Sequence, residues 1–271
     1  MINSLTNFRV KQWLKLADKF TRDKRKLFLA YGFHSVVEAQ KAGLLEEVIC
    51  TSKPEELKQT LKKNCLSGDF ELPVFQVTQG VMEKLSVMAA PPKIIGVAKQ
   101  KTSESIHGNV VFVNAVHHPG NLGTIIRNCV AFGVETVVIE SSVDPYSHKV
   151  VQSSQGMIFH VNIVKSPIRE KALELRETGY QIIGTDVARG TNLCEFVPRK
   201  KWGLVLGNES EGVGSELLGF CDENIKIEMD AKCESLNVGV AAGIVLYHLC
   251  AVMAPYSIKP KGSGFLYSKT N

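Results

Sequence analysis

Short apolar runs alternate along most of this chain with segments whose apolar residues recur at helical spacing. A run rich in Val and Ile is typical of a buried strand, and a repeat of three to four residues is typical of an amphipathic helix. The predicted strands lie at 27–31, 48–50, 74–77, 94–98, 110–113, 136–139, 161–164, 181–184, 203–206 and 225–227. Strands that alternate with helices predict an α/β fold with a mostly parallel sheet covered on both faces.

The polar segment 100–108 divides this alternation into two units. It contains turn-forming residues and shows no periodicity, which is typical of a linker. A chain of 271 residues is long enough for two domains. We therefore predict a smaller α/β domain at 1–99 and a larger α/β domain at 109–255, which closes with a long apolar helix. The segment 256–271 carries lysines among Gly and Ser and is predicted to be a flexible tail.

Composition excludes several classes of protein. Apolar residues make up 44% of the chain and charged residues 22%, but no run of 18 apolar residues occurs, so we expect no membrane span. The amino-terminal residues lack the pattern of a secretory signal. The 7 cysteines form no Cys-x-x-Cys pair, which argues against a disulfide framework or a zinc site and predicts a cytoplasmic protein without a metal.

Basic residues are concentrated near the amino terminus. Residues 11–20 place Trp13, Leu14, Ala17 and Phe20 at helical spacing, with lysines on the other side. Such a segment suits a polyanion, and an exposed helix face is an equally good interpretation of the charge alone. The candidate phosphate-binding residues are Arg22, Lys24, Arg25 and Lys26.

Three polar, glycine-bearing segments interrupt the larger domain, each directly after a predicted strand. They span 118–128, 207–212 and 234–238. Taken singly, Asn121 and Ser235 are explained as helix caps, and Glu209 as an acid at a helix start. Arg127 is harder to explain structurally, because its helical neighbours Ile125, Ile126, Val130 and Ala131 are predicted to be buried and a guanidinium stays charged.

Together, the three segments resemble the signature motifs of the SpoU (TrmH) family of RNA ribose 2′-O-methyltransferases in the SPOUT superfamily. The first motif is Asn-x-Gly-x-x-x-Arg at 121–127, the second is Gly-Asn-Glu-x-x-Gly at 207–212, and the third is Ser-Leu-Asn-Val at 235–238. The resemblance covers 110–252 densely. More weakly, residues 11–98 resemble the family's amino-terminal substrate-binding domain, which has the fold of small ribosomal RNA-binding proteins.

The resemblance implies a carboxyl-terminal domain with a deep trefoil knot that binds S-adenosylmethionine (AdoMet). The family holds this cofactor largely through main-chain groups, at positions that match Gly207, Ile227 and Leu236. A homodimer is also implied, because the family's motif arginine acts across a subunit interface. A plain dinucleotide-binding enzyme fits poorly, since the chain lacks a Gly-x-Gly-x-x-Gly fingerprint.

The residue types predict how the reaction proceeds. The family proposal makes the arginine that matches Arg127 a general base, but arginine stays protonated in proteins. We expect its charge instead to stabilise the developing alkoxide or to hold the adjacent phosphate. Asn121, Glu209, Ser235 and Asn237 complete the candidate catalytic set, in which they orient the arginine, the cofactor and the ribose.

The chain departs from the family pattern at His117-His118, where an acidic residue usually precedes the Pro-Gly-Asn of the first motif. We interpret this pair as surface histidines in preference to phosphate contacts. Because the amino-terminal domain is present, 23S-type ribosomal RNA is the predicted substrate. The alternatives are transfer RNA and a non-catalytic RNA-binding protein. A housekeeping role and a role in antibiotic resistance both stay open.

Overall fold

The computed structural model describes residues 1–64, 71–88, 90–101 and 105–253, and its strands form two sheets. The first sheet has the order β1-β4-β2-β3, in which β4 runs antiparallel to β1 and β2. Its strands are β1 (Leu27–Tyr31), β2 (Leu45–Cys50), β3 (Val74–Gln76) and β4 (Ile94–Lys99). This sheet is therefore mixed, whereas the second sheet is parallel throughout.

The second sheet has the order β7-β6-β5-β10-β8-β11-β9. All its pairings are parallel, so the predicted α/β fold with a parallel sheet is confirmed. The strands are β5 (Val110–Asn114), β6 (Thr136–Glu140), β7 (Asn162–Lys165), β8 (Gln181–Thr185), β9 (Thr191–Asn192), β10 (Trp202–Leu206) and β11 (Glu223–Lys226).

The basic amino-terminal segment forms two helices where the pattern predicted one. Asp18 caps the second helix by accepting a hydrogen bond from the Thr21 amide at 2.8 Å, so the chain changes direction there. Phe20, expected on the apolar face, is consequently 75% exposed. The helices around the first sheet are α1 (Phe8–Leu14), α2 (Lys19–Arg25), α3 (Phe33–Lys41), α4 (Pro54–Asn64) and α5 (Gln79–Leu85).

Among the helices that cover the second sheet, two pack closely against the helix that carries the first motif. The helices of this sheet are α6 (Pro119–Ala131), α7 (His148–Ser153), α8 (Ile168–Glu177), α9 (Ser215–Phe220) and α10 (Val238–Met253). Gly123 of α6 touches α7, because a Cβ there would lie 2.4 Å from the Ser153 Cβ. On another side of α6, Asn128 Nδ2 donates to the Gly239 carbonyl of α10 at 2.9 Å. Gly123, the glycine of the first motif, thus allows α6 and α7 to pack closely beside the loop that leads into α6.

One apolar core runs through both halves of the chain. Phe28 of β1 packs against Tyr146 and Phe159, with ring centroids 4.9 Å and 5.5 Å apart. Gln100, in the predicted linker, is buried. Within the described ranges, none of the helices combines the length and the apolar character that crossing a membrane would require. The predicted tail at 256–271 lies outside the described residues.

Candidate active site

Three polar loops meet at the carboxyl edge of the second sheet. The first leads from β5 into α6, the second follows β10, and the third leads from β11 into α10. Because these strands run parallel, the loops that follow them lie at the same edge. One side chain from each predicted motif meets the others there: Asn121, Glu209 and Asn237.

A chain of hydrogen bonds joins these three side chains. Asn237 Nδ2 donates to Asn121 Oδ1 at 2.9 Å, and Asn121 Nδ2 donates to Glu209 Oε1 at 2.8 Å. Asn237 Oδ1 accepts from the Gly239 amide at 3.0 Å, which determines how its own amide is turned. The His118 main-chain amide donates to Glu209 Oε1 at 3.2 Å. The three loops therefore hold one another in a single arrangement.

Glu209 is the carboxylate at the end of this chain. Partial burial raises the pKa of Glu209, but the hydrogen bonds from Asn121 and from the amides of His118 and His117 outweigh that effect. The pKa of Glu209 therefore lies below its ordinary value. Its side chain is an anion at neutral pH, with lone pairs already used by three donors.

A cavity of about 380 Å³ lies beside the hydrogen-bonded chain. This volume is in the range of small-molecule sites, and Leu206, Val213 and Val245 contribute apolar wall. The cavity is lined by all the residues predicted to bind the cofactor, which are Gly207, Ile227 and Leu236. Ser235 lines the cavity as well.

The loop at Gly207 is tight enough to exclude any side chain. A Cβ at Gly207 would lie 2.1 Å from the carbonyl carbon and oxygen of Gly212. The loop closes because the main chains of Asn208 and Gly212 exchange hydrogen bonds of 2.9 and 3.0 Å, and Gly212 adopts a left-handed φ of 68°. The cavity is thus approached by bare main chain, which suits a cofactor held by backbone groups.

A second pocket, lined mostly by polar residues and called the polar pocket below, also includes Glu209 in its lining. It shares Asn208, Glu209 and Ser210 with the cavity, and its remaining lining residues are His117, His118, Pro119, Asn121 and Asn237. Sequence reasoning left the two histidines out of the site as a surface pair, although their place before the first motif was a usable signal. In the described ranges, no cluster of three or more His, Cys, Asp or Glu side chains is placed to hold a metal ion.

Arg127 lies away from the hydrogen-bonded chain. It follows Asn121 by six residues on α6, which puts the two side chains on different faces of the helix. The expectation that Arg127 sits among buried neighbours is wrong in part, because Arg127 and Ala131 are exposed on the protomer. The described part of the chain offers its guanidinium no hydrogen bond or ion pair.

Arg22 is wrongly predicted as an RNA contact. It is 7% exposed, and its guanidinium lies 2.6 Å from the Asp144 carboxylate. It also donates to the carbonyl oxygens of Leu16 and Ala17. A buried, fully bonded guanidinium is not free to hold a phosphate. The other predicted RNA contacts are exposed: Lys24, Arg25 and Lys26.

Two family models match the chain. The SpoU rRNA Methylase family model matches residues 108–247, the part that carries all three motifs. The MRM3-like substrate binding domain model matches residues 7–96, which include the first sheet up to the middle of β4. The first match covers more than half of the chain, so the chain belongs to the SpoU rRNA methylase family, and the predicted family is confirmed.

Relatives and solved structures agree with this assignment. The 23S rRNA (guanosine(2553)-2′-O)-methyltransferase RlmP of Bacillus subtilis (strain 168) is 33% identical over 92% of this chain and 98% of its own. A solved rRNA methyltransferase from Sinorhizobium meliloti is 25% identical, with a TM-score of 0.80 over 95% of this chain and 98% of that one. A solved RNA 2′-O ribose methyltransferase is 27% identical, with a TM-score of 0.76 over 91% and 96%. The predicted activity, AdoMet-dependent methylation of a ribose 2′-hydroxyl in RNA, is confirmed.

Proposed function

We propose that this enzyme modifies one nucleotide of 23S-type ribosomal RNA. The observation that carries the proposal is the chain Asn237–Asn121–Glu209, because all three side chains line the polar pocket and Glu209 also lines the cofactor cavity. A ribose in the polar pocket would therefore face the methyl donor. The name of the Bacillus subtilis relative specifies 23S ribosomal RNA, and that protein matches almost the whole chain.

Transfer RNA is the alternative substrate. The substrate-binding domain matched at residues 7–96 favours ribosomal RNA, since transfer RNA enzymes of this family often lack such a domain. A non-catalytic RNA-binding protein is disfavoured, because the residue types that the reaction needs are all retained. Those residues are Asn121, Arg127, Glu209 and Asn237.

The residues present fit AdoMet. The bare main chain at Gly207 and the side chains of Ile227 and Leu236 would hold it in the 380 Å³ cavity. AdoMet supplies a methyl group already activated by a positively charged sulfur. Ser235 lies on the rim of the same cavity, where its hydroxyl can orient the cofactor or the ribose.

The protein's part in the reaction is to position the ribose and to stabilise charge. Asn121 and Asn237 fix the wall against which the ribose lies, and the Glu209 anion holds both loops through its three donors. Arg127 contributes a fixed charge near the attacking oxygen or its phosphate, provided that it belongs to the site of a second subunit.

We propose a homodimer in which Arg127 of each subunit completes the other subunit's site. Arg127 is exposed and unpaired within the described part of its own protomer. The adjacent α10 carries an exposed apolar stripe at helical spacing, formed by Val240, Ile244 and Tyr247 with 51%, 40% and 60% exposure. A two-fold contact through α6 and α10 would cover this stripe and place Arg127 of each subunit at the site of the other.

The trefoil knot is also a proposal. It is supported by the strand order β5-β10-β8-β11, in which late strands lie between or beside earlier ones. It is further supported by the return of α10 to α6, where Asn128 meets Gly239. We likewise assign residues 1–99 to a ribosomal-protein-like RNA-binding domain, and place the enzyme with its substrate in the cytoplasm.

The direct test is to map 2′-O-methyl groups in ribosomal RNA from cells with and without this protein. One site in 23S ribosomal RNA should lose its methyl group, and the purified enzyme with AdoMet should restore it. A transfer RNA site that responds in its place would overturn the substrate assignment. Calorimetric titration with S-adenosylhomocysteine should show binding without RNA or metal.

A further inference from the structure

Attack by a ribose 2′-hydroxyl releases a proton, and the motif arginine cannot take it. Guanidinium stays protonated in proteins, so Arg127 supplies charge but no basic lone pair. Within the proposed function, the acceptor has to belong to the polar pocket, where the ribose binds. That pocket is lined by three amides, one hydroxyl, one proline, one carboxylate and two imidazoles.

Glu209 is poorly suited to accept this proton. Its two oxygens already accept from Asn121 Nδ2 and from the main-chain amides of His118 and His117, at 2.8, 3.2 and 3.5 Å. These bonds lower the pKa of Glu209 against the effect of burial, so the carboxylate is a weak base. Protonating it would also break the chain that joins the three loops.

The remaining basic groups that line the polar pocket are His117 and His118. An imidazole is neutral close to physiological pH and then offers a lone pair. Neither ring has a hydrogen-bond partner in the described part of the chain. The His118 ring lies against the first turn of α6, because a Cβ at Gly120 would sit 3.0 Å from its Cε1 and 3.1 Å from its Nδ1. This turn continues directly into Asn121.

We propose that His118 is the general base of this enzyme, an inference that rests on the proposed site for the ribose. The proton of the 2′-hydroxyl passes to the free imidazole nitrogen of His118 as the 2′-oxygen forms its bond to the methyl carbon. The carbon–sulfur bond of the donor breaks, and its electron pair stays on sulfur. The imidazolium then returns its proton to water. Among the described residues, the titratable groups that line the pocket with His118 are its neighbour His117 and Glu209 of the β10 loop.

The test is a pH–rate profile under single-turnover conditions, with saturating enzyme and tritiated AdoMet on a 23S ribosomal RNA transcript. The wild-type rate should rise with pH until the imidazole is neutral. His118→Gln should lose this acid limb and about a hundredfold or more in rate, since general bases typically contribute 10²–10⁴-fold. His118→Asp keeps a base of lower pKa, so its acid limb should move to lower pH and its rate should exceed that of His118→Gln.

His117→Gln is the matched control and should keep the acid limb. The affinity of each variant for S-adenosylhomocysteine should equal that of the wild type, and saturating enzyme keeps changes in transcript affinity out of the measured rate. If His118→Gln keeps the wild-type limb and rate, or loses only RNA affinity, His118 is not the base. A wild-type enzyme that leaves the 23S ribosomal RNA transcript unmethylated would instead overturn the proposed substrate, so the two failures are distinct.

Discussion

At the scale of single residues, Arg127 stands apart from the other motif side chains of its protomer. Arg127 is exposed, and it lies on a different face of α6 from Asn121, which is hydrogen-bonded to Asn237. A charged group that stabilises an alkoxide has to be held within hydrogen-bond distance of it. The protomer alone does not hold Arg127 in that way, which is why we propose that it acts in the site of a neighbouring subunit.

We expect Arg127→Ala to lose nearly all turnover, because one preorganised charge typically contributes about a hundredfold or more in rate. Arg127→Lys should also be severely impaired, since lysine keeps the charge but not the planar fork. The measurement is tritium transfer to a 23S ribosomal RNA transcript. S-adenosylhomocysteine affinity should stay at the wild-type value in both variants. Full activity of Arg127→Ala would remove this residue from the mechanism.

Arg22 and Lys24 are two residues apart and differ completely in environment. The Arg22 side chain is 8% exposed and its Asp144 partner 9%, whereas Lys24 is exposed. Removing one member of a buried ion pair leaves the other charge without compensation. The sequence pattern could not distinguish them, because the partner of Arg22 is distant along the chain.

Arg22→Ala should therefore lower the free energy of unfolding by about 3–5 kcal/mol, the usual effect of breaking a buried pair. Urea denaturation followed by circular dichroism measures this change. Lys24→Ala, the control in the same helix, should shift the free energy of unfolding by less than about 0.5 kcal/mol. Equal, small effects of both substitutions would mean that the Arg22–Asp144 pair does not stabilise the fold.

At the scale of elements, α2 carries the basic residues that remain available to RNA. Lys24 and Arg25 end this helix, and Lys26 follows it in a left-handed conformation with φ of 55°. All three side chains are exposed, and within the described residues they form no ion pair with an acidic side chain. The segment is therefore a basic surface that precedes β1, the first strand of the substrate-binding half.

Replacing Lys24, Arg25 and Lys26 together by alanine should weaken RNA binding and flatten its salt dependence. Each phosphate contact that is lost reduces the slope of log K against log salt by roughly 0.7–0.9. Filter binding at several salt concentrations provides the slope. S-adenosylhomocysteine affinity is the control and should not change. An unchanged slope would place the RNA surface elsewhere on the chain.

The elements themselves were largely predictable from the sequence. The predicted strands all occur, with ends shifted by up to three residues, because buried strands need apolar runs, which are rich in Val and Ile in the parallel sheet. The missed elements are short: β9 has two residues, and α9 (Ser215–Phe220) has six with a glycine among them. The break between α1 and α2 was missed because the apolar spacing continues across Asp18, where the capping side chain decides the outcome.

Much of the candidate site was also predictable, since the motif residues stand at fixed spacing in the sequence. The hydrogen bonds between Asn237, Asn121 and Glu209 could not be derived, because they join residues that are 88 or more positions apart. The inclusion of His117 and His118 likewise depends on where the β10 loop turns. Side-chain contacts between loops follow from the packing of the sheet, which the local pattern does not contain.

At the scale of the whole molecule, the two halves of the chain are packed as one body. Phe28 lies between Tyr146 and Phe159, and Glu38 meets His160 at 2.7 Å across the same boundary. RNA held by the amino-terminal half would thus be presented at a set distance from the methyl donor. Since Arg127 lines neither the cavity nor the polar pocket of its own protomer, the proposed functional unit is a dimer.

Mixed dimers test this last point directly. If Arg127 acts across the interface, subunits with Arg127→Ala and subunits with Asn237→Ala should each be inactive alone. A heterodimer of the two should contain one intact site, formed by the wild-type Arg127 of one subunit and the wild-type Asn237 of the other. Tritium transfer to a 23S ribosomal RNA transcript should then recover to about half of the wild-type rate per heterodimer, given one site in two. Confirmed heterodimers without any recovered activity would place Arg127 and the cofactor cavity of a single subunit in the same site.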